Sequence, residues 1–449
     1  MNANALLADL AVGMPDDVAR AYENGMFSAA RACIDAHLHA GVLPQAAQNA
    51  LLARREMMRR LPDNYTLSRA DALALLRREV PDLRDEEFDA LCAEGFIDGR
   101  RIEGEFCCHD RFLQSLRLYP ALHARGLAAP DKGPDVRGAA LAAMQRDGHL
   151  DADITLRVTI APPDGADPDA VFCAWLPYPA EDAPQSGVTL LGATPGAQLA
   201  APDAPQRTIY WQRRAGDGPC SVTYRYHIHA PYVDVARLRV DAEQPRFYTH
   251  EEAPHLLFTP WLRALADELT AGKTDPLQKA RAIYDYVTTR VRYRYQPDYI
   301  CLEPIADWVA KNGWADCGMF SLLFIALCRI AGIPARWQSG LYVTPQEASP
   351  HDWAQFYIAP HGWLWADCSF GAGAHRLGDE ARRQHYFGNL DPLRMAANRS
   401  FFAQLTPPCE AWRNDPYDKQ TGEATLNGAP VHDAPRTREV LAFVPGAPL

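Results

Sequence analysis

Hydrophobic and polar positions follow different periods along the chain and divide it into three kinds of segment. In residues 1–150 apolar positions recur at three- and four-residue steps, as in AYENGMFSAARACIDAHLHAG, which predicts helices. Between residues 151 and 245, runs such as DITLRVTIAP and CSVTYRYHIHAPYV alternate apolar and polar residues between turns, which is typical of an antiparallel sandwich. Helical spacing returns afterwards, and Asp275 is the predicted cap of a helix that begins at Pro276.

The most apolar helix is predicted within WADCGMFSLLFIALCRIAGIP. Phe320, Leu323 and Leu327 recur at helical steps, and Pro334 ends the pattern. Cys317 falls in the first turn, where the helix dipole and unpaired backbone N–H groups favour a thiolate and can hold an oxyanion. The alternative is a buried structural cysteine at a helix start, which is common for a free thiol.

Two strands predicted after this helix carry further polar groups. HDWAQFYIAP begins with His351, and WLWADCSF has Asp367 near its end. A cysteine at a helix N-terminus, then a strand histidine and a strand aspartate, are the groups that a thiolate–imidazole–carboxylate triad requires. The combination favours a triad over an isolated structural cysteine.

These blocks, GWADCGMFSLLFIALCRIAGIPARWQSGLYV, HDWAQFYI and GWLWADCSFG, resemble the transglutaminase-like superfamily of papain-like cysteine enzymes, and in particular its large bacterial members. The resemblance covers about residues 275–372. It implies that Cys317 is the nucleophile, His351 the general base and acid, and Asp367 the residue that orients the imidazole. It also implies an aromatic side chain in the oxyanion hole or along the substrate, for which the candidates are Trp314, Tyr293, Tyr295 and Trp353.

The resemblance also predicts the fold class and the division of the chain. We expect an α+β protein with a papain-like, transglutaminase-like catalytic core preceded by a β-sandwich and an N-terminal helical domain. The predicted domains are the helical domain at 1–150, the sandwich at 151–245, the catalytic core at 246–375 and a C-terminal extension packed on the core at 376–449. Substrate selection or occlusion by the sandwich is a hypothesis for the role of the first 245 residues.

One position departs from the family pattern. Asp367 is followed by Cys368 and Ser369, where a turn such as Pro-Thr is commoner. Cys368 is either inert or able to form a disulfide with Cys317. The acidic clusters of the calcium-dependent animal transglutaminases are not apparent, so calcium dependence is not expected.

Composition narrows the function classes. Lys and Arg number 45 against 56 Asp and Glu, a net charge of −11 that argues against a nucleic-acid partner. No apolar run reaches the roughly 18 residues of a membrane span, and the first residues lack a secretory pattern, so we expect a cytoplasmic protein without a membrane partner. The 11 cysteines have irregular spacing, which predicts neither a disulfide framework nor a zinc ribbon. The oligomeric state is left open.

Weaker signals are read as structural, so no metal and no cofactor are predicted. CCHD at 107–110 and the pair His227 and His229 could bind metal, but a packed hairpin and a sandwich surface are the preferred interpretations. Whether the C-terminal segment lines the cleft or only packs across the core is left open for Asn389, Arg394, Arg413, Asp415 and Asp418.

The predicted function is hydrolysis of a peptide or protein amide through a thioester acyl-enzyme. Two alternatives remain. The acyl group could pass from a protein glutamine to an amine, as in a transglutaminase, or the chain could be a non-catalytic protein- or glycan-binding module with a relic core.

Overall fold

The structure is a computed structural model that describes residues 2–130, 133–241, 243–418 and 420–449. It contains helices and sheets that are antiparallel except for one two-stranded parallel pair, so the predicted α+β fold class is confirmed. No helix among these residues is long and apolar enough to cross a membrane.

Three helices near the N-terminus pack on the predicted catalytic core, which is called the catalytic region below. They follow a 3-10 helix at Ala3–Ala11 and are α1 (Asp16–Glu23), α2 (Phe27–Ala40) and α3 (Gln45–Arg60). Gly41, at φ 67°, ends α2 in a left-handed conformation that glycine adopts without a Cβ clash. Leu51 and Met57 of α3 belong to the same apolar core as the central helix of the catalytic region.

A small unit with its own apolar core follows. It consists of β1 (Leu67–Ser68), α4 (Arg69–Glu79), α5 (Asp85–Ala93), β2 (Gly99–Ile102), β3 (Glu105–Cys108) and α6 (Phe112–Leu116). The Ser68 side chain caps α4 by accepting from the Asp71 N–H. Strands β2 and β3 form the predicted hairpin, and Cys108 is buried in the unit's core.

Two facing sheets form the sandwich. The elements are α7 (Val136–Asp147), β4 (His149–Ile160), β5 (Val171–Pro177), β6 (Gln185–Ala193), β7 (Gln198–Leu199), β8 (Thr208–Arg214) and β9 (Cys220–Pro231). In β4 and β9 every second residue is buried, because successive side chains of a strand point to opposite faces. The apolar positions that predicted the strands therefore fill the space between the sheets.

The catalytic region places one apolar helix against a five-stranded sheet. Its helices are α8 (Pro260–Thr270), α9 (Pro276–Arg290), α10 (Ile305–Asn312), α11 (Cys317–Ile330), α12 (Cys368–Arg376) and α13 (Glu380–His385). Its strands are β10 (Arg292–Tyr293), β11 (Trp314–Ala315), β12 (Ala335–Val343), β13 (Ala348–Ile358), β14 (Gly362–Ala366), β15 (Phe387–Gly388) and β16 (Arg394–Asn398). The order β15-β14-β13-β12-β16 is antiparallel throughout, and α11 is buried along most of its length.

The C-terminal segment is shared between two parts of the molecule. Strand β16 extends the catalytic sheet, whereas β17 (Glu423–Leu426) pairs with β5, and β19 (Arg436–Pro445) pairs with β4. The short β18 (Ala429–Pro430) pairs with β17. The segment predicted as an extension on the core, 376–449, therefore contributes strands to the sandwich as well as to the core sheet. Its alternating strands complete the open edges of both sandwich sheets.

Buried His255 supplies a test of how the core is held together. Its Nδ1 accepts from the Ile305 N–H at 3.4 Å, and its ring lies 4.3 Å from that of Tyr417. Burial lowers the pKa of His255 to about 3. The unfolded chain, with an ordinary pKa of about 6.5, binds this proton more readily, so stability falls as the pH drops from about 6.5 towards 3.

We expect His255→Gln, which keeps an acceptor without a titrating ring, to remove part of this pH dependence. The loss of free energy of unfolding below pH 6.5 should be shallower by up to about 1.4 kcal/mol per pH unit. Urea unfolding between pH 7 and pH 4.5 measures it. The control is His39→Gln at an exposed position of α2; equal slopes for the two variants would contradict the prediction.

Candidate active site

Cys317 is the first residue of α11 and lies half-buried in a cleft. Asp316 caps this helix by accepting from the Met319 N–H at 3.2 Å, and it also accepts from the Tyr299 hydroxyl at 2.5 Å. Gly318 follows because a Cβ there would lie 2.2 Å from the Tyr299 oxygen. The Asp-Cys-Gly sequence therefore caps the helix and leaves room for a hydroxyl beside the thiol.

His351 of β13 forms a hydrogen-bonded pair with Asp367, which directly follows the adjacent strand β14. His351 Nε2 lies 2.7 Å from Asp367 Oδ2, and the imidazole stacks on the Phe370 ring at 4.2 Å. Asp367 also caps α12 by accepting from the Phe370 N–H at 2.9 Å. Since Nε2 donates to the carboxylate, Nδ1 is the ring nitrogen that can accept a proton.

Arg394 of β16 holds Asp367 from behind. Its guanidinium lies 2.9 Å from Asp367 Oδ2 and 2.9 Å from Asp391 Oδ2, and all three groups are fully buried. Burial acts to raise the pKa of Asp367, but the charges of His351 and Arg394 hold it well below its usual range. The carboxylate is therefore ionised when it orients the imidazole.

The thiol of Cys317 contacts a different acid. Its sulfur donates to Asp352 Oδ2 at 3.1 Å, and Gln420 donates to the other oxygen of Asp352. Successive residues of a strand point to opposite faces, and β13 presents Asp352, rather than His351, to the face on which α11 packs. The described residues include no hydrogen bond between the Cys317 thiol and the His351 ring, although both line one cleft.

Asp352 belongs to a buried acid pair. Asp418 is hydrogen-bonded to it and accepts from the Ser339 hydroxyl at 2.5 Å and from the Asn398 amide. Burial, followed by the charge of Asp418, raises the pKa of Asp352 well above its usual value. Burial also raises the pKa of Asp316, to about 6. Ser339 and Asn398 lie in register with Asp352 on neighbouring strands, so the sheet itself builds this network.

These surroundings oppose the expected thiolate. Burial and then the Asp352 carboxyl raise the pKa of Cys317 well above its usual value. Burial likewise lowers the pKa of His351, despite its bond to Asp367. The resting site therefore holds a neutral thiol and a neutral imidazole.

The cleft has a volume of about 610 Å³ and is lined from several parts of the chain. Arg111 and Leu118 come from the small N-terminal unit, Arg137 comes from α7, and Asp415 and Asp418 come from the C-terminal segment. The described strands of the sandwich, β4–β9, contribute no lining residue. The role of the sandwich in substrate selection stays a hypothesis, and the segments before and after its strands are those that line the cleft.

The four aromatic candidates separate into two pairs. Tyr293 and Tyr295 line the cleft beside Cys317. Trp314 does not, because its indole is packed between Phe96 and Arg292, whose guanidinium lies 4.1 Å from the ring centroid. Trp353 does not either: it is fully buried behind His351 and donates to Gln338 at 2.5 Å. The prediction that Trp314 and Trp353 line the substrate or the oxyanion hole is therefore corrected. The sequence motif that contains them gives no information on the direction of their side chains.

The structure also shows whether the C-terminal polar residues line the cleft and where Cys368 lies. Asn389 binds the backbone of Val233, and Arg413 pairs with buried Glu423, so neither lines the cleft. Cys368 is fully buried and has Cys328 as a neighbour, and all 11 cysteines are free thiols. Asp352, Gln420 and Tyr299 were missed, although Asp352 stands next to His351 in the sequence.

Comparison with known proteins shows which family the region around Cys317, His351 and Asp367 is similar to. A family model described as the transglutaminase-like superfamily matches residues 263–368. These residues form a transglutaminase-like core.

Individual relatives are distant. The protein YebA of Bacillus subtilis, described as uncharacterized, is 26% identical over 124 residues, a match that covers 23% of this chain and 16% of YebA. The chain thus spans about a sixth of that relative. Among solved structures, a candidate cysteine protease from Cytophaga hutchinsonii is 15% identical, with a TM-score of 0.40 over 67% of this chain and 92% of that one. The periplasmic domain of TgpA from Pseudomonas aeruginosa is 16% identical, with a TM-score of 0.26 over 55% of this chain and 96% of that one.

The acid beside the thiol of the transglutaminase-like core leads to a reactivity prediction. We expect Asp352→Asn to make Cys317 react several-fold faster with iodoacetamide at pH 7, because the variant lacks the carboxyl that raises the thiol's pKa. Peptide mass mapping reports alkylation of Cys317 separately from the other thiols. The matched control is Glu347→Gln, an acid at the exposed rim of the same cleft. Unchanged alkylation in the Asp352 variant would contradict the prediction.

Arg394 gives a second prediction, for a positioning residue. Arg394→Met leaves two buried carboxylates without their cation and should lower the free energy of unfolding by about 3–5 kcal/mol. Arg394→Lys keeps a charge and should fold, but it should raise the pKa of Asp367 and move the acid limb of any pH–activity profile to higher pH. Arg336→Lys, which alters a half-buried ion pair on β12, is the control and should leave the profile unmoved.

Proposed function

We propose that this chain is a cysteine-dependent amide hydrolase in which Cys317 is the nucleophile, His351 the general base and acid, and Asp367 the residue that orients the imidazole. The observation that carries the proposal is one cleft lined both by a half-buried thiol at the start of α11 and by His351, which is hydrogen-bonded to Asp367 behind it. The match of residues 263–368 to the transglutaminase-like superfamily supports the general class of cysteine enzyme.

The neutral resting pair defines the first step. The thiol leaves Asp352, and His351 Nδ1 takes its proton as the sulfur attacks the amide carbonyl carbon. The bond from sulfur to carbon forms, and the carbonyl oxygen becomes an oxyanion. Backbone N–H groups at the start of α11 are suited to stabilise it, and the Tyr293 hydroxyl is the side-chain candidate.

Collapse of this intermediate completes acylation. His351 returns the proton to the amide nitrogen, and the bond from carbon to nitrogen breaks. The amine leaves, and the acyl group remains on Cys317 as a thioester. Water, deprotonated by His351, then attacks the thioester and releases the acid and the thiol. Asp367 remains ionised because of its buried contact with Arg394. Its negative charge stabilises the His351 imidazolium during both acylation and deacylation.

A second candidate is transfer of the acyl group to an amine. Six carboxylic acids line the described cleft, namely Asp298, Asp316, Glu347, Asp352, Asp415 and Asp418, against two arginines, Arg111 and Arg137. This excess of acids favours a cationic group, either on the amide substrate or as an incoming alkylammonium that gives a proton to His351 and then attacks the thioester as the amine in place of water.

The test is an amide-substrate profile of the full chain, with and without a dansylated primary amine. We expect release of the leaving amine, and Cys317→Ala and His351→Gln should each reduce it on the order of 10³-fold or more. Acid quenching should trap an acyl group on the Cys317 peptide, detected by its added mass. Cys33→Ala, on α2 and outside the cleft, is the matched control.

The products separate the candidates. Release of the free acid at the same rate with and without amine supports hydrolysis, and incorporation of the dansylated amine supports transfer. An active Cys317→Ala variant would overturn the nucleophile, and a folded chain that forms no acyl-enzyme with any amide would favour the binding-module alternative.

A further inference from the structure

A cluster of histidine and aspartate side chains lies on the outer face of the sandwich, and none of them lines the cleft that contains Cys317. His149 and Asp151 are on β4, and His227 and His229 are on β9, all exposed or half-buried. Asp151 pairs with His229 across the two strands, and Asp153 pairs with His227. Because alternate residues of a strand share a face, the antiparallel register brings these side chains to one patch.

The distances within the patch fit one small ion. His229 Nδ1 lies 2.6 Å from Asp151 Oδ1, and His149 Nε2 lies 3.4 Å from Asp151 Oδ2. The ligand atoms of His149, Asp151 and His229 all lie within 4.8 Å of one another. Ligand atoms around a tetrahedral zinc ion, each about 2.0–2.1 Å from the metal, are about 3.3 Å apart, so small rotations of these exposed side chains are sufficient.

We propose that His149, Asp151 and His229 bind one divalent transition-metal ion, with zinc as the expected occupant. His227 is the fourth ligand, since its Nε2 lies 3.6 Å from the same oxygen of Asp151. Imidazole nitrogen with a single carboxylate oxygen selects zinc, copper or nickel, whereas calcium and magnesium require sets of oxygen ligands. Neutral imidazoles donate through the nitrogen that carries no proton, so His229 binds metal when its proton is on Nε2.

The position of the patch indicates that a bound ion would stabilise the sandwich. Strand β4 is a central strand of its sheet, between β19 and β9, and its other face fills the sandwich core. A metal held by β4 and β9 joins the two strands by side chains in addition to their backbone ladder. Since an ion that binds only the folded chain stabilises it by mass action, zinc should raise the Tm.

The experiment is zinc binding to the full chain after removal of metals with a chelator. It is carried out with zinc sulfate alone on a Cys317→Ala background, so that the active-site thiol cannot act as a ligand. We expect one zinc per chain with a micromolar or tighter Kd. Replacing both His149 and His229 by Ala should weaken binding at least tenfold, and His227→Ala should weaken it less.

Controls and a spectroscopic readout make the outcome decisive. His39→Ala, an exposed histidine of α2, should leave the zinc affinity unchanged. Cobalt in place of zinc should show the visible absorption of a tetrahedral site, and the double variant should lack it. Absence of stoichiometric binding, or equal affinity in the double variant and the parent, would overturn the site and would leave His–Asp surface pairs as the role of these residues.

Discussion

The buried contact between Arg394 and Asp367 is the constraint on which the candidate site depends. Asp367 is fully buried, and an isolated carboxylate there would take up a proton and lose its ability to orient an imidazole. Arg394 prevents this with a direct contact at 2.9 Å, and the same guanidinium also contacts Asp391 at 2.9 Å. His351 then has an ionised partner at 2.7 Å on one ring nitrogen and a proton-accepting nitrogen on the other.

Burial also determines the protonation of the Cys317 thiol, because it raises the pKa of this group. A cysteine at a helix start is usually expected to ionise, because the dipole and the N–H groups attract a negative charge. Here burial, and then the carboxyls of Asp352 and Asp316 beside the sulfur, raise the pKa of Cys317 and oppose a thiolate.

The catalytic sheet cannot be separated from the rest of the chain. Helix α3 shares an apolar core with α11, and Leu341 and Met395 of the catalytic sheet share another with the sandwich. Arg111 and Arg137, from segments before the sandwich, supply positive charge to an otherwise acidic cleft. The N-terminal half of the chain thus contributes residues to the candidate site and to the apolar core beneath it. The core of about 100 residues therefore depends on contacts from other parts of the 449-residue chain.

The sequence by itself determined the local parts of this protein. Apolar periodicity identified α11, strand alternation identified β4 and β9, and the order of Cys317, His351 and Asp367 followed from motifs whose spacing is local. Tertiary structure alone decided which groups meet. Asp352 meets the thiol because α11 packs on its face of β13, and Arg394 meets Asp367 because β16 adds to the edge of the sheet beside β12. Strands β17 and β19 pair with the sandwich, and His149 lies beside His229, for the same physical reason. Pairing between distant strands is fixed by the packing of whole faces, and no window of the sequence contains that information.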